Sequence, residues 1–114
     1  FTITHPKGFE LDPKITENTF IEYDQYKAFE NADFIYTKNW SSYLEYGKTT
    51  DKFSNWMITK KNLGNAKFMH CLPIRRNVVA TDDVLDSDNS LVIKQTNNRT
   101  YATQIILKQI LENL

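Results

Sequence analysis

Several features that point directly to a function are scarce in this sequence. Fourteen Lys and Arg balance fourteen Asp and Glu, and neither sign forms a block of five. Charge alone therefore draws the surface neither to nucleic acid nor to a membrane of anionic lipid. No run approaches the roughly 20 apolar residues that span a bilayer. The single cysteine, Cys71, excludes an internal disulfide, and a reducing, cytoplasmic location fits this composition.

Glycine and histidine are sparse as well. The three glycines are isolated from one another, so the glycine-rich loop of a dinucleotide or Walker-type nucleotide site is absent. One cysteine and two histidines lack the paired spacing of a zinc site. The sequence therefore predicts neither a nucleotide cofactor nor a metal centre.

The length of 114 residues corresponds to one domain of ordinary size. The chain begins inside an apolar, β-prone run, Phe-Thr-Ile-Thr, without an initiator methionine. We therefore expect it to be a piece of a longer protein, whose function has to be inferred from this part.

Strand-like and helix-like segments alternate along the chain. Short runs of β-branched and aromatic residues predict strands at 1–4, 20–23, 34–37, 67–71 and 91–94. Between them, three short helices are predicted to begin after Asp24, Thr50 and Thr81. The second of these should end at Gly64 and the third near Asp86.

A longer helix is predicted at 100–114. It carries a wide apolar stripe at helical spacing, formed by Ala102, Ile105, Ile106, Ile110 and Leu114. Because such a stripe is stable only when it is covered, we expect this helix to pack on a partner surface.

The alternation predicts an α/β fold with a parallel sheet and helices on both faces, which is a three-layer, doubly wound arrangement. In such sheets ligands bind beyond the carboxyl ends of the strands. The residues at those positions are His5, Lys38, 70–76 and 95–99. These positions are the candidates for a binding site.

The densest cluster of reactive groups is 69–77, Met-His-Cys-Leu-Pro-Ile-Arg-Arg-Asn, directly after a predicted strand. A nucleophilic Cys71 with His70 as its base is poorly supported, because neighbours on an extended strand point to opposite faces. A buried structural thiol is the alternative. Pro73 stiffens the following turn, which is compatible with a cis peptide bond.

Positive charge also collects near the predicted strand ends. Arg75 and Arg76 either pair with carboxylates or phosphates or remain in solvent. Arg99 is placed at a predicted change from strand to helix, where backbone N–H groups and the helix dipole favour anions. Lys38 follows the strand at 34–37 and is either a ligand contact or ordinary surface.

The His-Cys-Leu-Pro segment at 70–73 resembles the signature of the ornithine-type transcarbamylases. The resemblance extends over essentially the whole chain and continues in order through the segments at 4–11, 32–40 and 71–99. Four residues alone would be a weak signal, whereas this ordered series is a strong one.

Within that family the details resemble the branch that carbamoylates N-acetylornithine or N-succinylornithine. The features responsible are Ile-Arg-Arg-Asn at 74–77 and Lys-Asn-Trp at 38–40. Enzymes that use N-acetylornithine tend to carry a lysine where this sequence has Val79. This difference favours N-succinylornithine.

The resemblance implies which residues bind the substrates. Lys38 and Arg75 would contact the charged groups of the acylated ornithine, and Cys71 and Leu72 would also bind this substrate. Leu72 and Arg99 would contact carbamoyl phosphate.

The resemblance also implies how the reaction proceeds. Cys71 and the backbone of Leu72 would orient the reacting δ-amine and the carbamoyl group, and His70 would shape this catalytic site. A neutral amine attacks the carbamoyl carbon and phosphate leaves, so the reaction needs positioning and fixed positive charge more than a covalent nucleophile. No metal and no organic cofactor is required.

The family resemblance extends to architecture and partners. It implies the second domain of the aspartate/ornithine carbamoyltransferase fold, with 1–99 binding the acylated ornithine and the helix at 100–114 packing on a missing N-terminal carbamoyl-phosphate domain. The family assembles as trimers with active sites between subunits. We therefore expect a cytoplasmic, homotrimeric enzyme of arginine biosynthesis, and no activity from this chain alone.

Two other interpretations remain open at this point. The protein could be an ornithine carbamoyltransferase that acts on free ornithine. It could also be a non-catalytic α/β ligand-binding module that kept the pocket but lost turnover.

Overall fold

Strands and helices alternate in the computed structural model, which describes residues 1–39, 41–42 and 53–114. The strands are β1 (Thr2–Thr4), β2 (Phe20–Glu22), β3 (Phe34–Thr37) and β4 (Lys67–His70). The helices are α1 (Pro13–Thr16), α2 (Gln25–Phe29), α3 (Lys60–Leu63), α4 (Asp82–Leu85) and α5 (Val92–Glu112), and a 3-10 turn at Ser54–Trp56 precedes α3.

Both strand pairs are parallel. β1 pairs with β2, and β3 pairs with β4 in a register that runs from Phe34 opposite Lys67 to Thr37 opposite His70. Within the described residues the pairs form two two-stranded sheets. The predicted α/β fold with parallel strands is confirmed, and so are the first four predicted strands, to within about one residue at each end.

The fifth predicted strand, at 91–94, is wrong. Ser90 makes a single parallel bridge to Phe68, and the N–H of Leu91 donates to the Phe68 carbonyl at 2.8 Å. The chain then turns into α5 at Val92, which is buried, whereas Ile93 is exposed. The β-branched pair at 92–93 suggested a strand, but this weak preference is overridden by the packing of Val92 into the core.

The start of the last helix moves accordingly. The helix predicted from Thr100 begins eight residues earlier, at Val92, and runs without a break to Glu112. Arg99 therefore lies two turns inside α5 and not at a change from strand to helix. The helix-dipole argument for anion binding at Arg99 does not apply, because that effect is confined to the first turn.

The helix α2 begins where its cap was predicted. The Asp24 carboxylate accepts hydrogen bonds from the backbone N–H groups of Tyr26 and Lys27, at 3.0 and 3.3 Å. These bonds satisfy N–H groups that have no partner inside the helix, which stabilises the helix start by about 1 kcal/mol. The predicted N-cap at Thr81 is likewise confirmed for α4, whose C-cap is Asp86.

The helix predicted after Thr50 differs from the structure. Thr50 lies outside the described residues, and the described part that follows contains the 3-10 turn and then the separate helix α3. Thr59 and Asn62 form a reciprocal capping box at the start of α3. The helix ends at Gly64, as predicted, with a positive φ of 59°.

The core lies between the β3–β4 pair and the helices that follow. Its members are Ile35, Ile58, Leu63, Ala66, Phe68, Ala80, Val84, Leu85 and Val92. Phe68 on β4 has no exposed surface, and α5 packs on the same strand. This core holds the β3 and β4 ends in place.

The second half of α5 leaves an apolar surface uncovered. Its large exposed side chains include Ile105, Ile106, Leu107, Ile110 and Leu111, each more than half exposed. Among the helices that the structure describes, none combines the length and the apolar character needed to cross a membrane.

We predict that Phe68→Ala lowers the free energy of unfolding by about 3–5 kcal/mol, because it removes a fully buried ring and leaves a cavity. The matched control is Phe34→Ala on the neighbouring strand, where the ring is 62% exposed and the loss should stay below about 1 kcal/mol. Urea denaturation followed by circular dichroism measures both. Equal losses from the two substitutions would contradict this description of the core.

Candidate functional site

The strands β3 and β4 end side by side, so the residues after them share one edge of the sheet. Thr37 and His70 are the last paired residues, and Lys38 and Cys71 follow them. The Lys38 Nζ atom lies 3.9 Å from the Cys71 Sγ atom, a long contact of an ammonium group with a weak sulfur acceptor. The structure therefore brings Lys38 and Cys71 together, although they are 33 residues apart.

His70 and Cys71 point to opposite faces of the sheet, as strand geometry predicted. His70 shares its face with Phe68, and both are fully buried. Cys71 is partly exposed and contacts Lys38 on the other face. The two residues are therefore not arranged as a nucleophile and its base.

A tight turn follows β4 and is held from two sides. The Leu72–Pro73 peptide bond is cis, as the sequence allowed, and Leu72 has a positive φ of 46°. The Leu72 N–H donates to His70 Nδ1 at 2.9 Å, and the Asn39 side chain donates to the Pro73 carbonyl at 3.0 Å. A positive φ is uncommon for a branched residue, and these two hydrogen bonds stabilise the turn in which Leu72 adopts it.

His70 acts in this turn as a neutral acceptor. Because Nδ1 accepts the Leu72 N–H, the ring carries its proton on Nε2, which has no hydrogen-bond partner among the described residues. Burial lowers the pKa of His70 below its ordinary value of 6.5, and the charge of Lys38 lowers it further. His70 is therefore uncharged at neutral pH.

Arg99 reaches the same edge from α5. Its guanidinium group donates to the Cys71 carbonyl. Arg99 therefore lies beside Cys71, as expected for two residues that were both predicted to lie at the binding edge. This contact arises from the packing of α5 on β4 and not from a helix start.

The two arginines after Pro73 have different surroundings, which the sequence did not distinguish. Arg76 forms ion pairs with Asp82 and Asp86 of the α4 region, both at 2.5 Å. Hydrogen bonds from Asn77 and then from Arg76 lower the pKa of Asp82. Arg76 is therefore engaged with α4, whereas Arg75 lies on the partly buried side of the turn.

Sequence reasoning missed Tyr36. This residue precedes Lys38 by two positions, so both side chains lie on one face of β3, and Tyr36 is 51% exposed. The influence of the Cys71 thiol, followed by burial, raises the pKa of Tyr36, while the Gln95 side chain lowers it. Side chains two positions apart on a strand share one face, so the sequence could have predicted that Tyr36 lies on the same face as Lys38.

Buried polar atoms without a partner concentrate at the carboxyl ends of the strands. Within the described part of the chain they include Thr4 Oγ1, His5 Nε2, Thr37 Oγ1, His70 Nε2, Ser90 Oγ and Gln95 Oε1. Four of these six belong to the last residue of a strand or the residue after it. Because buried polar groups in proteins usually have partners, this distribution makes the carboxyl edge the candidate for a ligand-binding edge.

The loop after β3 links this edge to the end of β1. Ser42 Oγ donates to the Gly8 carbonyl at 2.8 Å. His5, the predicted candidate at the end of β1, is buried and packs edge-to-face on Tyr23 with ring centres 5.3 Å apart. Ser42 therefore joins the segment after β3 to the segment after β1, while His5 packs within the β1–β2 group.

Two further features bear on the choice of site. A surface hollow at the amino ends of β3 and β4, lined in part by Tyr26, Lys27 and Leu63, contains none of the predicted site residues. In the described ranges, no three His, Cys, Asp or Glu side chains lie close enough to hold a metal ion.

A sequence model described as "Aspartate/ornithine carbamoyltransferase, Asp/Orn binding domain" matches residues 1–110. The N-succinylornithine carbamoyltransferase of Bacteroides fragilis is 50% identical over the whole chain, and that of Bacteroides thetaiotaomicron is 47% identical. An ornithine carbamoyltransferase of Thermococcus kodakarensis is 32% identical over 96% of the chain. The chain spans 37% of the length of the two Bacteroides relatives and 40% of the third.

Solved structures agree with the sequence relatives. A crystal structure of a mutant N-acetyl-L-ornithine transcarbamylase, complexed with carbamyl phosphate and N-succinyl-L-norvaline, has a TM-score of 0.82 and 27% identity. An acetylornithine transcarbamylase complexed with acetylcitrulline has the same TM-score and identity. Each match covers 93% of this chain and 38% of the other one.

We predict that His70 makes folding stability fall as the solution becomes acidic. Its pKa is lower in the folded chain than the ordinary value of 6.5, so its contribution to stability is complete above pH 6.5 and is lost as the pH falls below it. The measurement is the free energy of unfolding at about pH 8, 7, 6 and 5.5, which spans the range where histidine titrates.

The matched variant is His70→Asn, because the asparagine side chain can offer an acceptor near the position of Nδ1 but does not titrate in this range. Its stability should fall less steeply over the same acidic range than that of the unsubstituted protein. Parallel curves would show that His70 is not the titrating group.

Proposed function

Because the chain belongs to the aspartate/ornithine carbamoyltransferase family, as its Asp/Orn-binding domain, we propose that it is the substrate-binding part of an N-acylornithine carbamoyltransferase. The enzyme would move the carbamoyl group of carbamoyl phosphate to the δ-amine of N-succinylornithine, or of N-acetylornithine. One observation carries the proposal: Lys38, Cys71 and Arg99 meet at the carboxyl edge where unpartnered buried polar atoms concentrate.

Lys38 and Arg75 would bind the charged groups of the acylated ornithine. Both lie next to the turn at 72–73, and the Lys38 ammonium group already reaches Cys71. Arg75 is partly buried beside Arg76, whose pairing with α4 restrains the backbone there. A guanidinium group held in this way can bind a carboxylate through two parallel hydrogen bonds.

Cys71 and Leu72 would orient the reacting groups, and His70 would shape the turn that presents them. The Leu72 backbone is held at positive φ by the bond to His70, and this geometry fixes the direction of the neighbouring carbonyl groups. The amine nitrogen bonds to the carbamoyl carbon, negative charge develops on the carbonyl oxygen, the bond from that carbon to the phosphate oxygen breaks, and one amine proton passes to the departing phosphate. Such a reaction gains most from positioning and from fixed donors near the developing charge.

Arg99 would contact carbamoyl phosphate, together with Leu72. Its guanidinium group has five N–H donors, of which one bonds the Cys71 carbonyl. Within the described part of the chain the remaining donors have no hydrogen-bond partner, so they could bind the oxygens of a phosphate or carbamoyl group near the same turn. In the proposed reaction Arg99 would thus supply a permanent positive charge beside the leaving group.

The remaining parts of the enzyme would come from outside this chain. We propose that residues 1–99 bind the acylated ornithine and that 100–114 of α5 pack through the exposed Ile106 and Ile110 on an N-terminal carbamoyl-phosphate domain. The resemblance to the family further supports a homotrimer acting in arginine biosynthesis in the cytoplasm. The chain alone would be inactive.

The full-length protein should form a citrulline derivative from carbamoyl phosphate with N-succinylornithine preferred over N-acetylornithine and ornithine. The 50% identity to an N-succinylornithine carbamoyltransferase, against 32% to an ornithine carbamoyltransferase, supports this order. A colorimetric ureido-group assay with the three amines in parallel measures it. Activity with free ornithine only would identify an ornithine carbamoyltransferase, and no activity with any amine would favour the non-catalytic module.

In the same assay, Lys38→Met should raise the KM for N-succinylornithine by about 10- to 100-fold, because a charge-assisted hydrogen bond is lost. Arg99→Met should raise the KM for carbamoyl phosphate by a similar factor. The matched control is Lys94→Met, an exposed position near the start of α5, which should leave both constants unchanged. Normal kinetics from Lys38→Met or from Arg99→Met would remove that residue from the site.

A further inference from the structure

Asp82 is the centre of a polar network between α4 and the turn at 75–80. Its Oδ1 atom pairs with the Arg76 guanidinium group at 2.5 Å, and its Oδ2 atom accepts a hydrogen bond from the Asn77 side chain at 2.8 Å. The backbone N–H of Asp82 donates in return to Asn77 Oδ1 at 3.1 Å. One carboxylate therefore binds two neighbouring side chains of the segment that follows Pro73.

Asp86 extends this network at the end of α4. Residues four apart on a helix lie on one face, so Asp82 and Asp86 present two carboxylates to the same side. Arg76 binds Asp86 through two hydrogen bonds, at 2.5 and 3.1 Å, and so lies between the two acids. A guanidinium group that is paired with carboxylates on two sides is held in a defined orientation.

The turn at 75–80 is anchored to the core at its other end. The Val79 N–H donates to the Arg75 carbonyl at 2.9 Å. The Asn77 N–H donates to the Ala80 carbonyl at 2.7 Å, and Asn77 has a positive φ of 56°, a conformation that asparagine adopts more readily than most residues. Val79 and Ala80 are buried. The core therefore holds the end of the turn, while the network with α4 holds its exposed middle.

The network is too exposed to contribute much to global stability. The side chains of Arg76 and Asp82 are 48% and 55% exposed, and ion pairs in such positions are weak because water and salt screen them. Their effect is local, since the two side chains that Asp82 binds come directly after Arg75 in the chain. The direction of the partly buried Arg75 side chain therefore depends on a backbone that the network holds.

We propose that Asp82 is a positioning residue for Arg75. By binding Arg76 and Asn77, it holds the turn in the conformation that presents the Arg75 guanidinium group to a carboxylate of the acylated ornithine. This inference rests on the proposed carbamoyl transfer and adds a residue that acts on the substrate only through Arg75. Bidentate binding of a carboxylate needs a planar fork in a defined orientation, so a small movement of the backbone at Arg75 weakens it.

The test is Asp82→Asn in the full-length protein, which removes the charge and one of the two acceptor oxygens while keeping the size of the side chain. It should raise the KM for the preferred acylated ornithine by about three- to tenfold, because Arg75 is less well oriented. The KM for carbamoyl phosphate should be unchanged, since that substrate is assigned to Leu72 and Arg99. An unchanged KM for the acylated ornithine, or an equal rise of both constants, would overturn the proposal.

The matched control is Asp33→Asn, an exposed carboxylate at the amino end of β3, which should leave the kinetics unchanged. A double-mutant cycle with Arg75→Met shows whether Asp82 acts through Arg75. In the Arg75→Met background, Asp82→Asn should lower kcat/KM for the acylated ornithine no further, because the group that it positions is gone. Additive losses would contradict the proposal, since Asp82 would then act independently of Arg75. Thermal unfolding of each variant checks that the fold is retained.

A second readout separates this proposal from the proposed function. Trypsin cleaves after arginine, and cleavage after Arg75 or Arg76 requires the turn to open locally. This cleavage, identified by the masses of the products, should be at least about threefold faster in Asp82→Asn than in Asp33→Asn. If the protein transfers no carbamoyl group but cleavage is faster, the proposed function fails while the hold of Asp82 on the turn stands. If transfer occurs but neither the KM nor the cleavage rate changes, only the inference about Asp82 fails.

Discussion

The parallel pairing of β3 with β4 is the constraint on which the rest of the site depends. The register sets Thr37 opposite His70, so the chain leaves both strands at the same level and in the same direction. Lys38 and Cys71 are neighbours only because of this register. A shift of one residue would move every side chain of one strand to the other face and would separate the ammonium group from the thiol.

The two faces of this pair differ: one is buried against the core, and the other carries residues of the proposed site. The buried face contains Ile35, Phe68 and His70. His70 stabilises the following turn because its Nδ1 atom accepts a hydrogen bond from the Leu72 N–H. The other face carries Tyr36, Lys38 and Cys71, which are accessible enough to meet a ligand. His70 and Cys71 are neighbours in sequence, but the strand directs their side chains to opposite faces. His70 therefore belongs to the core, whereas Cys71 belongs to the accessible face.

The turn after β4 owes its shape to contacts from several elements. Asn39 comes from the end of β3, His70 from β4 and Arg99 from α5, while Arg76 binds the turn region to α4. The chain has no net charge, yet the cations Lys38, Arg75 and Arg99 belong to this edge. The local placement of positive charge, and not the overall charge, is therefore the feature that would favour an anionic ligand at this edge.

Local sequence determined the elements whose signals lie within a few residues. Short-range propensity and alternation predicted the strand at 34–37 and the opposed directions of His70 and Cys71. Capping signals predicted the helix start at Asp24 and the helix end at Gly64. The His-Cys-Leu-Pro segment, with the ordered segments around it, was enough to identify the family. Only tertiary structure decided the rest. The stretch from Val92 is helical because Val92 enters the core, Arg99 reaches Cys71 because α5 packs on β4, and Arg76 pairs with Asp82 and Asp86 of the α4 region. These outcomes depend on contacts between residues distant in sequence, whose energies exceed the small local preferences from which strands and helices are predicted.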